Sequence, residues 1–477
     1  MNLLIGFVIL LCLLGSELQT PQAVTDCWAQ ILLVGLVSMT VPGLALFQTL
    51  IVSKRLRDVQ LPDEQSSAMV SRLSICHSAV WLTASLAIIW AVRWQDVVRE
   101  HWNLDRWPLL DEAVILAPVV CSLVASWAIF FEIQQSIDGE QSSRFTLENL
   151  RQRIGYVSIR FRIYILMAMV PLSFVVLSRD LAPSLNSLGP TYSVIALVLA
   201  GLTISVAFPF LLLLIWSNSK ICNPELRKEL IDTCHDHRLF VRDVRIWKTG
   251  NRIVNALVAG MIPKFRFILL SDSLIQIFPN NELLAIVRHE AGHLRLWHLP
   301  IRIGFIVLPL AVLAIDEQNT AGMLNCLESC LVTLGLPMGT GTAMLVTIYL
   351  GYLVGCLSWL SHRMEYEADI YACQPLAPTP IHQSDILGGD HSPENVVRID
   401  PVLAADVTDA LLRLASVTPS QFDRRSFLHP SIRQRVTLIQ TLVEHPEKAE
   451  RFRKAFARRR RVAWSVMAIG IALAVWL

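Results

Sequence analysis

The chain has 477 residues, of which 53% are hydrophobic and only 17% charged, with a net charge of +2. A soluble globular protein carries about 25% charged residues, so the deficit calls for lipid-facing surface and implies an integral membrane protein with a soluble part. The small net charge argues against a nucleic-acid partner, and ten scattered cysteines with no C-x-x-C pair argue against a disulfide framework or a zinc ribbon.

A membrane helix needs about 20 mostly apolar residues. In chain order the candidate segments are Met1–Leu14, Trp28–Val52, Ser74–Val92, Leu109–Phe131, Ile163–Leu177, Tyr192–Trp216, Ile301–Ile315, Thr340–Leu360 and Val462–Leu477. The first is short. It lacks the basic n-region and A-x-A-like site of a signal peptide, and is read as a retained helix. Lys and Arg concentrate on the cytoplasmic side of membrane proteins. "VSKRLRD" (52–58), "SSRFTLENLRQR" (142–153) and the stretches 218–300 and 361–461 are basic, while 15–27, 180–191 and 316–339 hold no Lys or Arg. These groups alternate across the membrane, blurred only by Arg93, Arg99 and Arg106 in 93–108. Both large polar stretches are therefore expected in the cytoplasm, in a bacterium at the inner membrane.

The expected organisation is membrane helices over 1–217, a first soluble piece 218–300, a helical hairpin 301–360, a second soluble piece 361–461 and a last membrane helix 462–477. In the first piece "CNPELRKELIDTCHDH" has helical spacing. "FVRDVRIWK", "RIVNALVAG" and "FRFILLS" alternate as strands do. Asn280 is the expected N-cap of the helix "NELLAIVRHEAGHLRLWH", with Pro300 marking its break or kink. In the second piece 374–400 is a loop, with helices expected at about 401–416 and 430–442. Cys326 and Cys330 in "LNCLESC" fall in an expected loop outside the cytoplasm. A four-residue separation strains disulfide geometry, so they are read as small apolar residues rather than a bridge. The run "RFRKAFARRRR" (451–461) abuts the last apolar segment and reads as an anchor for anionic headgroups rather than a nucleic-acid site.

The chemistry concentrates in "RHEAGHLRLWH", residues 288 to 298. Residues four apart share a helix face, so His289 and His293 can present two imidazoles to one metal with Glu290 beside them. Imidazole and carboxylate ligands suit zinc. "SHRMEYEADIYA" supplies Glu365 as a third ligand. Asp369, one turn on, is placed to accept a hydrogen bond from the far nitrogen of a ligand histidine. An E-x-x-x-D pair is ordinarily a solvated helix face; its position after the motif helix gives it the metal reading. His298 could be an ordinary interfacial histidine. His362 reads as a surface residue, and His235, His237, His382 and His391 as solvated.

These residues resemble the M48 zinc metalloendopeptidases, in particular their membrane-embedded Ste24 CAAX-protease branch, over about 218–442. "NALVAG" (255–260) resembles the edge-strand segment that pairs with substrate backbone, and "HEAGHLRLWH" the branch's H-E-x-G-H-x-x-x-x-H. "EYEAD" (365–369) is similar to the third-ligand motif and "HPSIRQRV" (429–436) to the H-P-x-x-x-x-R block. The loop 374–400 departs from the family core, and the first 217 residues match only as several membrane helices.

The resemblance implies an α-helical multi-pass membrane protein with a cytoplasmic gluzincin-like α+β metallopeptidase domain. It implies one zinc per chain on His289, His293 and Glu365, with Glu290 as general base. His429 and Arg435 would face the reacting carbonyl, and Asn255 and Ala256 would hold substrate. The expected partners are a peptide or membrane-protein substrate and the bilayer. The rival expectation is a membrane sensor with an antirepressor-type domain, which would want a sizeable outside sensor; no outside segment here exceeds about 25 residues. A transporter with a structural metal would leave Glu290 without a task.

Overall fold

In the computed structural model the described residues are 2–18, 24, 26–58, 63–107, 109–137, 146–170, 172, 173, 176, 203, 206–260, 262–315, 317–335, 340–375, 399–418 and 420–476. They divide into two compact units, Met1–Trp216 and Ser217–Leu477.

The first unit is helical: α1 (Asn2–Leu18), α2 (Cys27–Asp58), α3 (Asp63–Leu86), α4 (Leu110–Ile137) and α5 (Leu147–Arg160). Three stretches in it, Cys27–Arg55, Arg72–Ala91 and Leu110–Ser136, are long and apolar enough to cross a membrane, and Val206–Ile215 is a shorter apolar helix. Trp28, Leu32, Leu36, Met39 and Phe47 of α2 stand exposed. That surface suits lipid and not water, and the chain is a membrane protein. Inside, Trp81, Ile88, Ile115, Trp127 and Phe131 form one core. The indole of Trp81 donates to the carbonyl of Val119 at 2.9 Å, tying α3 to α4. Two of the arginines in 93–108 are neutralised within the unit. Arg93 pairs with Asp96 at 2.6 Å, and Arg99 with Asp111 at 2.8 Å.

The second unit is built round a four-stranded sheet of order β1-β2-β4-β3, with strands Asn218–Lys220, Asp243–Trp247, Phe267–Ser271 and Ala256–Ala259 in that order. β2 and β4 run parallel, and β1 and β3 flank them antiparallel. β4 is buried throughout and β3 is an edge. The helices are α6 (Pro224–Asp236), α7 (Asp272–Ile277), α8 (Asn280–Arg295), α9 (His298–Ile315), α10 (Glu317–Thr333), α11 (Thr340–Ala372), α12 (Pro401–Val417), α13 (Ile432–Glu444) and α14 (Pro446–Trp476). Local chemistry starts several of them. Asn223 caps α6 ahead of Pro224, Asp400 caps α12 ahead of Pro401, and Ser431 caps α13. α6 and α8 cover the sheet through Leu230, Val244, Ile268, Leu283 and Val287. A second core joins α8 to α12 and α13 through Ala285, Leu411, Ile432 and Ile439. α11 is uninterrupted, and the hydroxyls of Tyr349 and Tyr352 donate to the Ile306 and Phe305 carbonyls of α9 at 2.8 and 3.0 Å.

Several expectations are corrected. β1 is a strand that the alternation did not reveal. The cap of α8 is Pro279, with no side-chain hydrogen bond, so Asn280 is the first helical residue. The break after the motif comes before Pro300: Leu296 closes α8, Trp297 takes the left-handed conformation at φ 59°, and Pro300 lies in the first turn of α9. Residues 317–333 form α10 rather than a loop, and Cys326 and Cys330 are free thiols on it. His237 is not simply solvated; its Nδ1 lies 3.2 Å from the Tyr371 hydroxyl. Residues 180–191, most of the loop 374–400, His382 and His391 lie outside the described residues, as do parts of the spans expected at 163–177 and 192–216.

Candidate metal centre and substrate cleft

α8 sets two imidazoles one turn apart on the face turned toward α11. The helices can meet closely because residue 292 is glycine. A Cβ there would lie 3.2 Å from Ala368 Cα and 3.3 Å from Tyr371 Cβ, closer than packed carbons sit comfortably. α11 brings Glu365 across to the pair. Nε2 of His289 and Nε2 of His293 are 3.1 Å apart, and the Glu365 oxygens lie 3.6 and 3.5 Å from them. The three donor atoms are all within 4.8 Å of one another. Tetrahedral zinc with bonds of about 2.0–2.2 Å separates its ligand atoms by roughly 3.3–3.5 Å. The donor set and its spacing fit that ion.

The far nitrogens of both imidazoles are also engaged. Nδ1 of His289 lies 2.9 Å from Asp369 Oδ1. Arg435 grips the same carboxylate with a fork, Nη2 to Oδ1 at 2.6 Å and Nε to Oδ2 at 2.8 Å. Burial pushes the Asp369 carboxyl up, but the guanidinium and the hydrogen bonds outweigh it and hold the group below its usual range. An ionised carboxylate only accepts, so His289 donates from Nδ1 and keeps the Nε2 lone pair for a metal. On the other side His293 Nδ1 is 2.8 Å from Nδ1 of His298, whose Nε2 is 3.3 Å from Glu367 Oε2. Glu367 in turn pairs with Arg460. Since Glu367 accepts from Nε2 of His298, Nδ1 of His298 accepts from His293, and the Nε2 lone pair of His293 is freed as well. His298 is 1% exposed and is thus a member of this chain, not an interfacial residue. Glu367 and Arg460 were not singled out in the sequence; the trailing histidine of the motif is the signal that could have prompted a search for its partner.

A cavity of about 340 Å³ opens over the donors, with Glu290 in its wall. Burial raises the Glu290 carboxyl above its ordinary value, with the neighbouring His289 opposing. Asn255 and Ala256 line the same cavity, as do His429 and Arg435. Asn255 turns its backbone toward β4, donating to Ser271 Oγ at 3.1 Å and accepting from Ser271 N at 3.0 Å. By antiparallel alternation the N–H and C=O of Ala256 face the open edge. Nδ1 of His429 lies 3.0 Å from Glu365, and its side chain is 57% exposed. Nη1 of Arg435 is 3.6 Å from Glu365. His362 meets the Ser426 carbonyl at 2.9 Å, apart from the donors. The residues singled out for the base and the substrate strand therefore line one cavity with His289 and Glu365, and His293 stands against it through His289.

The family model for peptidase family M48 matches residues 243–458. Among solved structures the chain is similar to one titled "Crystal Structure of S. mikatae Ste24p". The sequence identity is 14% and the TM-score 0.39, over 88% of this chain and 100% of that one. No curated protein matches. The matched segment contains β2 to β4, the motif helix α8, Glu365, Asp369 and Arg435. On the match of residues 243–458 to peptidase family M48, the chain is a metalloprotease.

Proposed function

We propose that the protein is an integral membrane zinc endopeptidase that cleaves membrane-proximal peptides or membrane proteins at the cytoplasmic face. The observation that carries the reading is the three-donor cluster of His289, His293 and Glu365 at the foot of a cleft that also holds Glu290 and an open strand edge. The two histidines and Glu365 hold one ion per chain. Zinc bound there supplies a Lewis acid that acidifies water and polarises a carbonyl. Glu290 takes the proton of the attacking water and delivers it to the leaving amine, a task its raised pKa suits. A substrate lies extended along β3, paired with the backbone of Ala256 and flanked by Asn255, as in strand addition to a sheet edge. His429 and the Nη1 of Arg435 donate to the oxyanion that develops at the carbonyl. Asp369, braced by Arg435, keeps His289 in the liganding tautomer. The cytoplasmic side is supported by the excess of Lys and Arg in 218–300 and 361–461, and the membrane-proximal substrate by α8 running within two residues into the apolar α9.

The test is cleavage of a quenched peptide library by purified wild type and Glu290→Gln, with zinc quantified in each. The substitution keeps size and hydrogen bonding but removes the base, so turnover should fall about 10²–10⁴-fold with zinc retained. Equal rates with zinc intact would overturn the mechanism, and absence of turnover in the wild type would favour a sensor.

A further inference from the structure

A second cavity, of about 440 Å³, lies among α9, α11 and α14. Ile301, Leu360 and Val462 all line it, and each stands where its helix changes from polar to apolar sequence. Three such borders in one place mark the depth at which a bilayer's headgroups lie. Tryptophans cluster at the same level: Trp359 is exposed, and Trp297 and Trp464 meet edge to face at 6.1 Å. The cavity has two kinds of wall. One is apolar, with Phe305 and Met364 joining Ile301 and Leu360. The other carries Arg363, Arg458, Arg459 and Arg460 against a single acid, Glu367.

That acid is already taken by Arg460. Among the described residues neither Arg363 nor Arg458 nor Arg459 has a carboxylate within ion-pair distance, and Arg459 lies only over the Phe456 ring, at 5.6 Å. A run of exposed arginines is ordinarily just solvated. Here the unneutralised guanidiniums stand over hydrocarbon at the membrane border, a combination that matches a ligand whose anion is joined to an acyl chain.

We propose that this cavity binds one anionic phospholipid, its phosphate held by Arg363, Arg458 and Arg459 and its first acyl carbons against Phe305 and Leu360. His298 and Glu367 form part of the wall, so the lipid sits against the histidine that orients His293, one hydrogen bond from His293 itself. The inference rests on the membrane reading alone and holds whether or not Glu290 is the base.

The experiment is native mass spectrometry of the full chain from mixed micelles holding phosphatidylglycerol and phosphatidylcholine in equal amounts. Wild type should retain one phosphatidylglycerol in preference to phosphatidylcholine by about tenfold or more, and the triple variant Arg363→Gln/Arg458→Gln/Arg459→Gln should lose that preference. Millimolar inorganic phosphate should not displace the lipid. Arg458 and Arg459 are exposed, so the double variant of these two keeps the fold and should lose most of the preference even if the triple variant proves unstable. Equal retention of both lipids by wild type, an unchanged preference in the variants, or displacement by free phosphate would each overturn the proposal.

Discussion

The two units differ in how far most of their buried polar side chains reach. In the first, most hydroxyls bond back to their own helix. Ser85 donates to the Trp81 carbonyl, Ser122 to Val119 and Ser126 to Ser122, at 2.7–2.9 Å. His77, 5% exposed, has no partner on either ring nitrogen among the described residues and meets Phe130 edge-on. In the second unit the buried groups bond to one another across long stretches of chain: Arg435 to Asp369 and then His289, His293 to His298 and then Glu367. In a bundle in lipid each helix satisfies its own backbone, and close packing with a few hydrogen bonds between helices, such as Trp81 to Val119, holds the helices together. A site must fix atoms in space, and only side-chain networks between elements do that.

The sharpest way to break the contrast is Asp369→Ala. It leaves Arg435 buried without its carboxylate, and loss of one partner of a buried pair costs about 3–5 kcal/mol. The thermal midpoint of the purified protein should drop accordingly. Asp369→Leu with Arg435→Leu should recover most of that stability without restoring cleavage. A neutral single variant would mean that the network does not hold the unit together.

A smaller effect is expected at His298. Loss of a partner that orients a ligand histidine lowers metal affinity about 10–100-fold, so His298→Ala should release zinc to a competing chelator at correspondingly lower concentration. Glu367→Gln should move in the same direction. Unchanged affinity in both would reduce the His293–His298–Glu367 chain to packing.

The smallest effect, of opposite sign, is expected in the first unit. His77→Leu removes a buried polar ring that has no partner, which ordinarily costs about 1–3 kcal/mol to bury. The variant should be as stable as wild type or up to about 1 kcal/mol more stable, read as an equal or higher thermal midpoint. A clear drop would show that His77 is engaged after all and erase the contrast at its simplest point.

What could be read beforehand follows the same division. His289 with His293, and Glu365 with Asp369, are pairs four apart, and helical period alone puts each pair on one face. β2, β3 and β4 alternate clearly enough to be seen. β1 has three residues, Asn218 to Lys220, too few for a period. α10 carries acidic and small residues among its apolar ones, so neither length of apolar run nor charge marked it as a helix. The partnership of His298 with Glu367, 69 residues away, and the pairing of Glu367 with Arg460 exist only once α8, α9, α11 and α14 have packed. Single-sequence spacing holds no trace of contacts between elements, which is why the three candidate donors and Asp369 were legible and the link from His298 to Glu367 and Arg460 was not.

The uninterrupted course of α11 has a mechanical consequence. From Thr340 to Glu365 a straight helix is a rod of roughly 37 Å. Swung by 5° about its far end, it would displace the Glu365 carboxylate by roughly 3 Å, about the whole spacing between donor atoms. Such a lever can carry a third ligand only if it is braced at several heights. The tyrosine struts at 349 and 352 brace it on α9, and the seat of Ala368 and Tyr371 against Gly292 locks its working end. A side chain at position 292 would act as a wedge under that end. It would spoil the alignment of the three candidate donors without touching any of them.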